Sequence, residues 1–256
     1  MDNMKLAWDL PQEDELAINQ LSGGVSPYAA ISLLRRDAWL HMLPLWTLRR
    51  EDGCSAADFS TWHSAAMHFY RKLQLRAGPS KRLLLKSPVH TARVQVLSGM
   101  FPRAQFILVH RDPYTVFRSG LHMASTYYGY SALHEPSDDD VLTYVLEQGK
   151  RMHEAYMRDA TGLLDRGCAE TTRLVEVAFQ QLDVAPMRTI AKIYAALRLA
   201  GGGTQDVPAS VRSAVLAYLE SLGAFRKNSF AELPPAAREL VRSQWRKMAE
   251  DFGYHV

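Results

Sequence analysis

Cysteine is nearly absent from this sequence. Cys54 and Cys168 are the two in 256 residues, and neither has a partner motif beside it. Such a pair builds neither a disulfide framework nor a metal site, so a reducing, cytoplasmic setting is expected. Long hydrophobic runs are missing too, and no stretch approaches the roughly 20 apolar residues of a membrane-spanning helix. The opening, MDNMKLAWDLPQEDE, lacks the basic and then apolar layout of a secretory signal. Charge of one sign is concentrated nowhere. The formal net charge is +3, from 30 Lys and Arg against 27 Asp and Glu, and the basic residues are spread along the chain. Nothing in that distribution argues for nucleic acid as a partner. A Gly-rich phosphate loop and a Mg²⁺-ligand pattern are missing as well, which argues against a kinase.

What remains is an ordinary globular composition, 47% hydrophobic and 22% charged, with no internal repeat and no mark of a second domain. A single domain over residues 1–256 is expected. Pro11 and the acids Glu13-Asp14-Glu15 suit a helix start that runs to Leu21 and stops at Gly23-Gly24. Capping and solvated charge are the plain reading of those acids, and an acceptor-pocket role is the sharper one. Ala30 to Leu48 is rich in apolar and aromatic residues and is interrupted by Pro44. Ser55 to Asp58 opens an amphipathic helix with Phe59, Trp62, Ala66, Phe69, Tyr70 and Leu73 at helical spacing, closed by Gly78. Helices are also predicted for Pro113 to Ser125, Val141 to Leu164, Pro186 to Leu199 and Pro208 to Leu222. A last one starts at Pro234-Pro235. Asp138-Asp139-Asp140 reads as a loop and helix start rather than a metal site.

The chain is organised around Lys81 to Ser119. Two short apolar runs, Arg82–Lys86 and Gln105–Val109, flank a segment of helical spacing from Thr91 to Met100, which predicts a βαβ unit. Thr172 to Val177 predicts a third strand. The fold class that follows is α/β, three-layered, with many helices around a parallel sheet of few strands. Ligands in such folds bind beyond the carboxyl ends of the strands. Lys86, His90, Arg111 and Ser119 all fall at or after those ends.

Each of these residues has chemistry to offer. Arg111 precedes a helix start and carries the planar fork that suits a phosphate. Ser119 lies about two turns further on and can donate a hydroxyl. An Arg paired with Asp112 or another acid is the alternative. Lys86 can stabilise charge on a transferring group, and Pro88 stiffens the turn that follows it. Histidine changes charge near neutral pH, so His90 can take a proton from an acceptor. A buried His with its hydrogen bonds satisfied is the plainer reading.

The combination of KSPVHT (86–91), Met100-Phe101-Pro102 and AQFILVHRDPYTVFRS (104–119) resembles the sulfotransferases that use 3′-phosphoadenosine 5′-phosphosulfate, in their bacterial and plant-type branch. Asp2-Asn3-Met4, PQEDE (11–15), RLVEV (173–177) and the stretch from Lys227 to Gly253 extend the resemblance over nearly the whole chain. It implies a P-loop-NTPase-like fold and transfer of a sulfonate to a hydroxyl or amine of a small-molecule acceptor. It implies Arg111 and Ser119 as holders of the cofactor's 3′-phosphate, His90 as general base and Lys86 as the basic residue near the sulfonate, with no metal. Two features depart from the family. Its first strand and R-[ST]-G-T-[ST] loop, which cradles the 5′-phosphosulfate, have no counterpart here. Gln180 and Gln181 stand where acids are expected. A catalytically impaired binding or interaction protein on the same fold is therefore the alternative expectation.

Overall fold

The computed structural model describes residues 7, 10–33, 35–163, 172–200, 206–223 and 231–255. In chain order it begins with helix α1 (Asp14–Leu21), a 3₁₀ turn (Pro27–Leu33), α2 (Arg36–Leu40), α3 (Pro44–Thr47) and α4 (Ala56–Ala77). A short 3₁₀ turn (Arg50–Asp52) precedes α4, and a third 3₁₀ segment (Pro88–Arg93) runs into α5 (Val94–Met100), followed by strand β1 (Phe106–His110) and α6 (Pro113–Met123). A π turn (Ala124–Tyr128) carries the chain into the short α7 (Gly129–Ser131) and the long α8 (Asp138–Ala160). After strand β2 (Leu174–Ala178) come α9 (Phe179–Val184), α10 (Pro186–Leu197), α11 (Ala209–Ser221), α12 (Pro235–Gln244) and α13 (Arg246–Asp251). Among the described residues no helix is long and apolar enough to cross a membrane.

Helix ends follow the capping chemistry of the sequence. Ser55 accepts the Asp58 N–H at 3.0 Å and donates to the Asp58 carboxylate at 2.6 Å, which opens α4. Ser137 and Asp140 repeat the arrangement at the start of α8, so the three aspartates form a helix first turn. Asp112 caps α6 by accepting the Thr115 N–H at 2.8 Å. Gly23 and Gly24 take φ of +66° and +96°, values open to glycine, and turn the chain out of α1. Pro44 stands at the first position of α3, where its missing N–H costs nothing. The predicted last helix is two helices, α12 and α13, broken at Trp245.

The sheet differs from expectation. Among the described residues it has two strands, β1 and β2, paired in parallel with Phe106 opposite Leu174 and His110 opposite Ala178. The run 82–86 is not a strand, and the predicted βαβ unit over 82–109 does not form. Apolar residues in a row give a strand its composition, but only a hydrogen-bonded ladder makes one. None of the described strands pairs with this run, and Leu84 is left 88% exposed. Lys86 and His90 therefore do not follow a strand end, whereas Arg111 directly follows β1. The chain is mostly helical α/β with a small parallel sheet.

The described residues group into two compact units. One takes those of Lys5–Met100 and Ser119–Arg158. Its core holds Ile18, Trp46, Trp62, Ala66 and Val89, all buried, and Trp39 packs edge-on against Tyr144 with ring centres 5.7 Å apart. The other takes those of Phe101–Arg118 and Asp159–Val256. There Val175 and Val177 of β2 pack on Ile193 and Leu197 of α10, and Phe117 meets Trp245 edge-on.

Candidate active site

The acids at the start of α1 neither cap the helix with their side chains nor lie as a group in solvent. Asp14 is 3% exposed and Glu15 0%. The solvated-charge reading is therefore corrected. Each acid reaches across the first unit to one basic side chain, Glu13 to Lys86, Asp14 to His90 and Glu15 to Arg93. His90 and Arg93 stand three apart on the 3₁₀ segment, about one turn from each other, and Lys86 lies in the extended stretch just before it.

Arg93 and Glu15 form the buried end of this row. Around them Ser26 donates to Glu15 Oε1 at 2.7 Å, and Trp62 Nε1 donates to Oε2 at 3.4 Å. Arg93 also lies 4.8 Å over the Trp62 ring. At the exposed end, Lys86 is 76% exposed and its ammonium pairs with Glu13, which also accepts the Tyr28 hydroxyl. An ion pair that open to water holds weakly, so Lys86 can leave Glu13 for another anion.

His90 occupies the middle. Its Nε2 lies 2.8 Å from Asp14 Oδ2, which also accepts the Tyr70 hydroxyl at 2.7 Å. Ser87 donates to Asp14 Oδ1 at 2.7 Å and accepts the Glu15 N–H at 3.2 Å. Burial alone would raise the Asp14 carboxyl. The hydrogen bond and charge of His90, with the hydroxyls of Ser87 and Tyr70, outweigh it and hold Asp14 well below the usual carboxylate range. Burial and the neighbouring Asp14 push the Tyr70 phenol well above its usual range, and burial with Glu13 does the same to Tyr28. Both therefore act as donors. His90 Nδ1 is buried and has no hydrogen-bond partner among the described residues.

Arg111 belongs to the second unit. It is exposed, and its guanidinium carbon lies 4.6 Å over the Phe179 ring, with no carboxylate in ion-pair range among the described residues. The alternative pairing with Asp112 is not made, and Asp112 is instead engaged by Thr115 through both its N–H and its hydroxyl. Behind Arg111, His110 stacks on Phe252 at 4.7 Å and its Nδ1 meets the Tyr254 hydroxyl at 2.9 Å. Ser119 is half-buried on α6 in the first unit. Gln180 and Gln181, in the second unit, line an open cavity of about 740 Å³ together with Arg188 and Lys192. Trp39 and Trp46 are core residues, and Tyr130 is exposed. Asp2-Asn3-Met4, Cys168 and residues 224–230 lie outside the described residues.

Reading the residues one by one singled out Lys86 and His90 but missed Arg93 and the individual roles of the three acids. The signal available was the spacing 86, 90, 93 for the bases against three consecutive acids.

A model of the sulfotransferase family matches residues 29–201. Among curated proteins, the chain is similar to the omega-hydroxy-beta-dihydromenaquinone-9 sulfotransferases Stf3 of Mycobacterium bovis (strain ATCC BAA-935 / AF2122/97) and Mycobacterium tuberculosis (strain CDC 1551 / Oshkosh). It is 27% identical to each over 259 residues, covering 99% of this chain and 60% of the relative. The chain thus spans about three-fifths of the length of these curated relatives. No solved structure matches it significantly.

Proposed function

The chain belongs to the sulfotransferase family, and we propose that it transfers a sulfonate from 3′-phosphoadenosine 5′-phosphosulfate to the hydroxyl of a small-molecule acceptor. The observation that carries this reading is the buried, unpartnered Nδ1 of His90, on a ring whose other nitrogen is held by Asp14. A nitrogen so placed can accept the proton an acceptor hydroxyl must lose. A hydroxyl is favoured over an amine because the mycobacterial relatives are named for an omega-hydroxy substrate. The parallel pairing of β1 and β2 accords with a P-loop-like sheet.

The donor, when bound, supplies an activated sulfonate with an adenosine 3′-phosphate as its handle. The residues present fit such a group. Arg111 is a guanidinium with no acid partner among the described residues, backed by an aromatic ring, which suits a phosphate dianion. In this reading Arg111 and Ser119 hold the 3′-phosphate. Lys86, weakly tied to Glu13, turns its ammonium to the charge that builds up during transfer. His90 takes the acceptor proton, and positioning with electrostatics provides most of the acceleration.

Calorimetry with 3′-phosphoadenosine 5′-phosphate tests the donor assignment. Saturable binding is expected, weakened about 10- to 100-fold in Arg111→Ala, the scale of a lost charge-assisted contact. No saturable binding, or binding indifferent to Arg111, overturns it. Transfer of label from ³⁵S-labelled donor to a lipid-alcohol pool, lost in His90→Gln, tests the chemistry. Binding without any transfer would instead establish a non-catalytic binding protein.

A further inference from the structure

We propose that Asp14 is a positioning residue for His90, fixing the imidazole in its Nε2–H form so that Nδ1 is the nitrogen that receives the proton. The inference rests on the reading of His90 as proton acceptor and assigns the residue that makes it one.

The hydrogen-bond inventory of Asp14 leaves little freedom. Its carboxylate meets three partners, the Ser87 hydroxyl on Oδ1 and the Tyr70 hydroxyl and His90 Nε2 on Oδ2. An ionised carboxylate only accepts. The contact with His90 is therefore Nε2–H donating to Oδ2, and in the neutral ring the lone pair falls on Nδ1. The reverse tautomer would set an Nε2 lone pair against the carboxylate. It would also bury an Nδ1–H with no acceptor, which the fold would have to carry as an unmade hydrogen bond. Held this way, the neutral ring has one tautomer and one orientation.

The clamp is built from three places in the chain. Tyr70 comes from α4, and burial together with the Asp14 charge keeps its phenol protonated. Ser87 precedes the 3₁₀ segment, and its carbonyl accepts the His90 N–H at 3.0 Å, so one residue ties both the carboxylate and the turn that carries the imidazole. Pro88 limits the backbone between them. Titratable neighbours in the same cluster are Glu13, Glu15, Tyr28, Lys86 and Arg93. The last of these separates the two acid–base contacts by purpose. Neither Glu15 nor Arg93 leaves a buried polar atom unpartnered, as a pair made for stability should, whereas His90 does. An orphaned nitrogen on an otherwise fixed ring is a cost to the fold, and a reacting proton gives it a use.

The test is a long-range ¹H–¹⁵N correlation spectrum of protein labelled with ¹⁵N-histidine, with His90 assigned by its loss in His90→Gln. The expected spectrum of the unmodified chain near pH 7.5 shows His90 as the Nε2–H tautomer. In Asp14→Asn the tautomer signature is expected to shift or split, and kcat to fall by about 10²- to 10⁴-fold with KM little changed. Should that variant not fold, Ser87→Ala and Tyr70→Phe each remove one tether of Asp14. Either is expected to lower kcat by a smaller factor while the Nε2–H signature persists. An Nδ1–H or doubly protonated ring in the unmodified protein overturns the proposal, as does Asp14→Asn with unchanged kcat. A chain with the expected tautomer but no sulfonate transfer to any acceptor overturns the proposed function and leaves the tautomer assignment standing.

Discussion

Arg93 and Glu15 are both fully buried and meet as a fork. Nη1 donates to Oε2 at 2.7 Å and Nη2 to Oε1 at 3.1 Å. Two further guanidinium donors reach the Leu45 carbonyl at 2.7 Å and the Trp46 carbonyl at 3.1 Å, so one side chain joins α1 to α3. Removing either partner strands a charge in the core, at a cost of about 3–5 kcal/mol. A large part of the 5–15 kcal/mol typical of a folded domain would be lost. Arg93→Ala and Glu15→Ala should each lower the urea midpoint sharply. The double variant should cost less than the sum, and additive losses would rule out the coupling. Arg93→Lys should not restore stability, because an ammonium cannot match two carboxylate oxygens and two carbonyls at once.

That pair also shows where sequence reading stopped. The helices were legible because their signals are local: Ser55 at a helix start, Gly23-Gly24 and Gly78 as stops, Pro44 as an interruption. The acids of α1 were not, because their partners lie 73 to 78 positions away and local propensity carries no information at that distance. A charged triplet at a helix start suits the dipole whether or not it is buried. Residues 82–86 failed for the opposite reason, since their composition speaks for a strand and the ladder that would make one is a tertiary property. Lys86 and His90 were legible as chemistry on account of their types and spacing. The partner that sets the His90 tautomer required the fold.

His110 gives stability a pH dependence in the second unit. Burial holds its imidazole below the ordinary 6.5, with Lys192 adding to that and Glu176 opposing it. The folded state thus prefers the neutral ring, stacked on Phe252 and bonded to Tyr254. Unfolded chains bind the proton first, so this contribution is present above about pH 6.5 and is lost as pH falls through the lower folded value. The melting temperature should decline between pH 6.5 and 5, more steeply in the unmodified protein than in His110→Gln. Equal slopes would remove His110 as the cause.

Arg111 stands on the Phe179 ring at 4.6 Å, and the ring restricts where the guanidinium can point. A cation–π contact at an exposed site amounts to about 0.5–1 kcal/mol. Phe179→Leu keeps the bulk and removes the quadrupole. Affinity for 3′-phosphoadenosine 5′-phosphate should drop about two- to fivefold, with the melting temperature nearly unchanged. A loss as large as that of Arg111→Ala would mean that Phe179 itself touches the ligand.

Strand β1 shows its two sides unequally. Phe106, Leu108 and His110 are half-buried, while Ile107 and Val109 point outward and are exposed. Parallel strands ordinarily have both faces covered, so this outward pair is unusual for a parallel sheet. Both side chains are only partly covered, so Ile107→Thr and Val109→Thr should each change folding stability by no more than about 0.5 kcal/mol. Both replacements keep the β-branching that suits a strand. Each removes exposed apolar surface next to a strand edge, the kind of feature that promotes association between chains. Light scattering of the concentrated double variant should fall below that of the unmodified protein, with the same urea midpoint. An unfolding free energy lowered by about 1 kcal/mol or more would show that in solution this face is packed against something, and that the outward side of β1 is part of an interior.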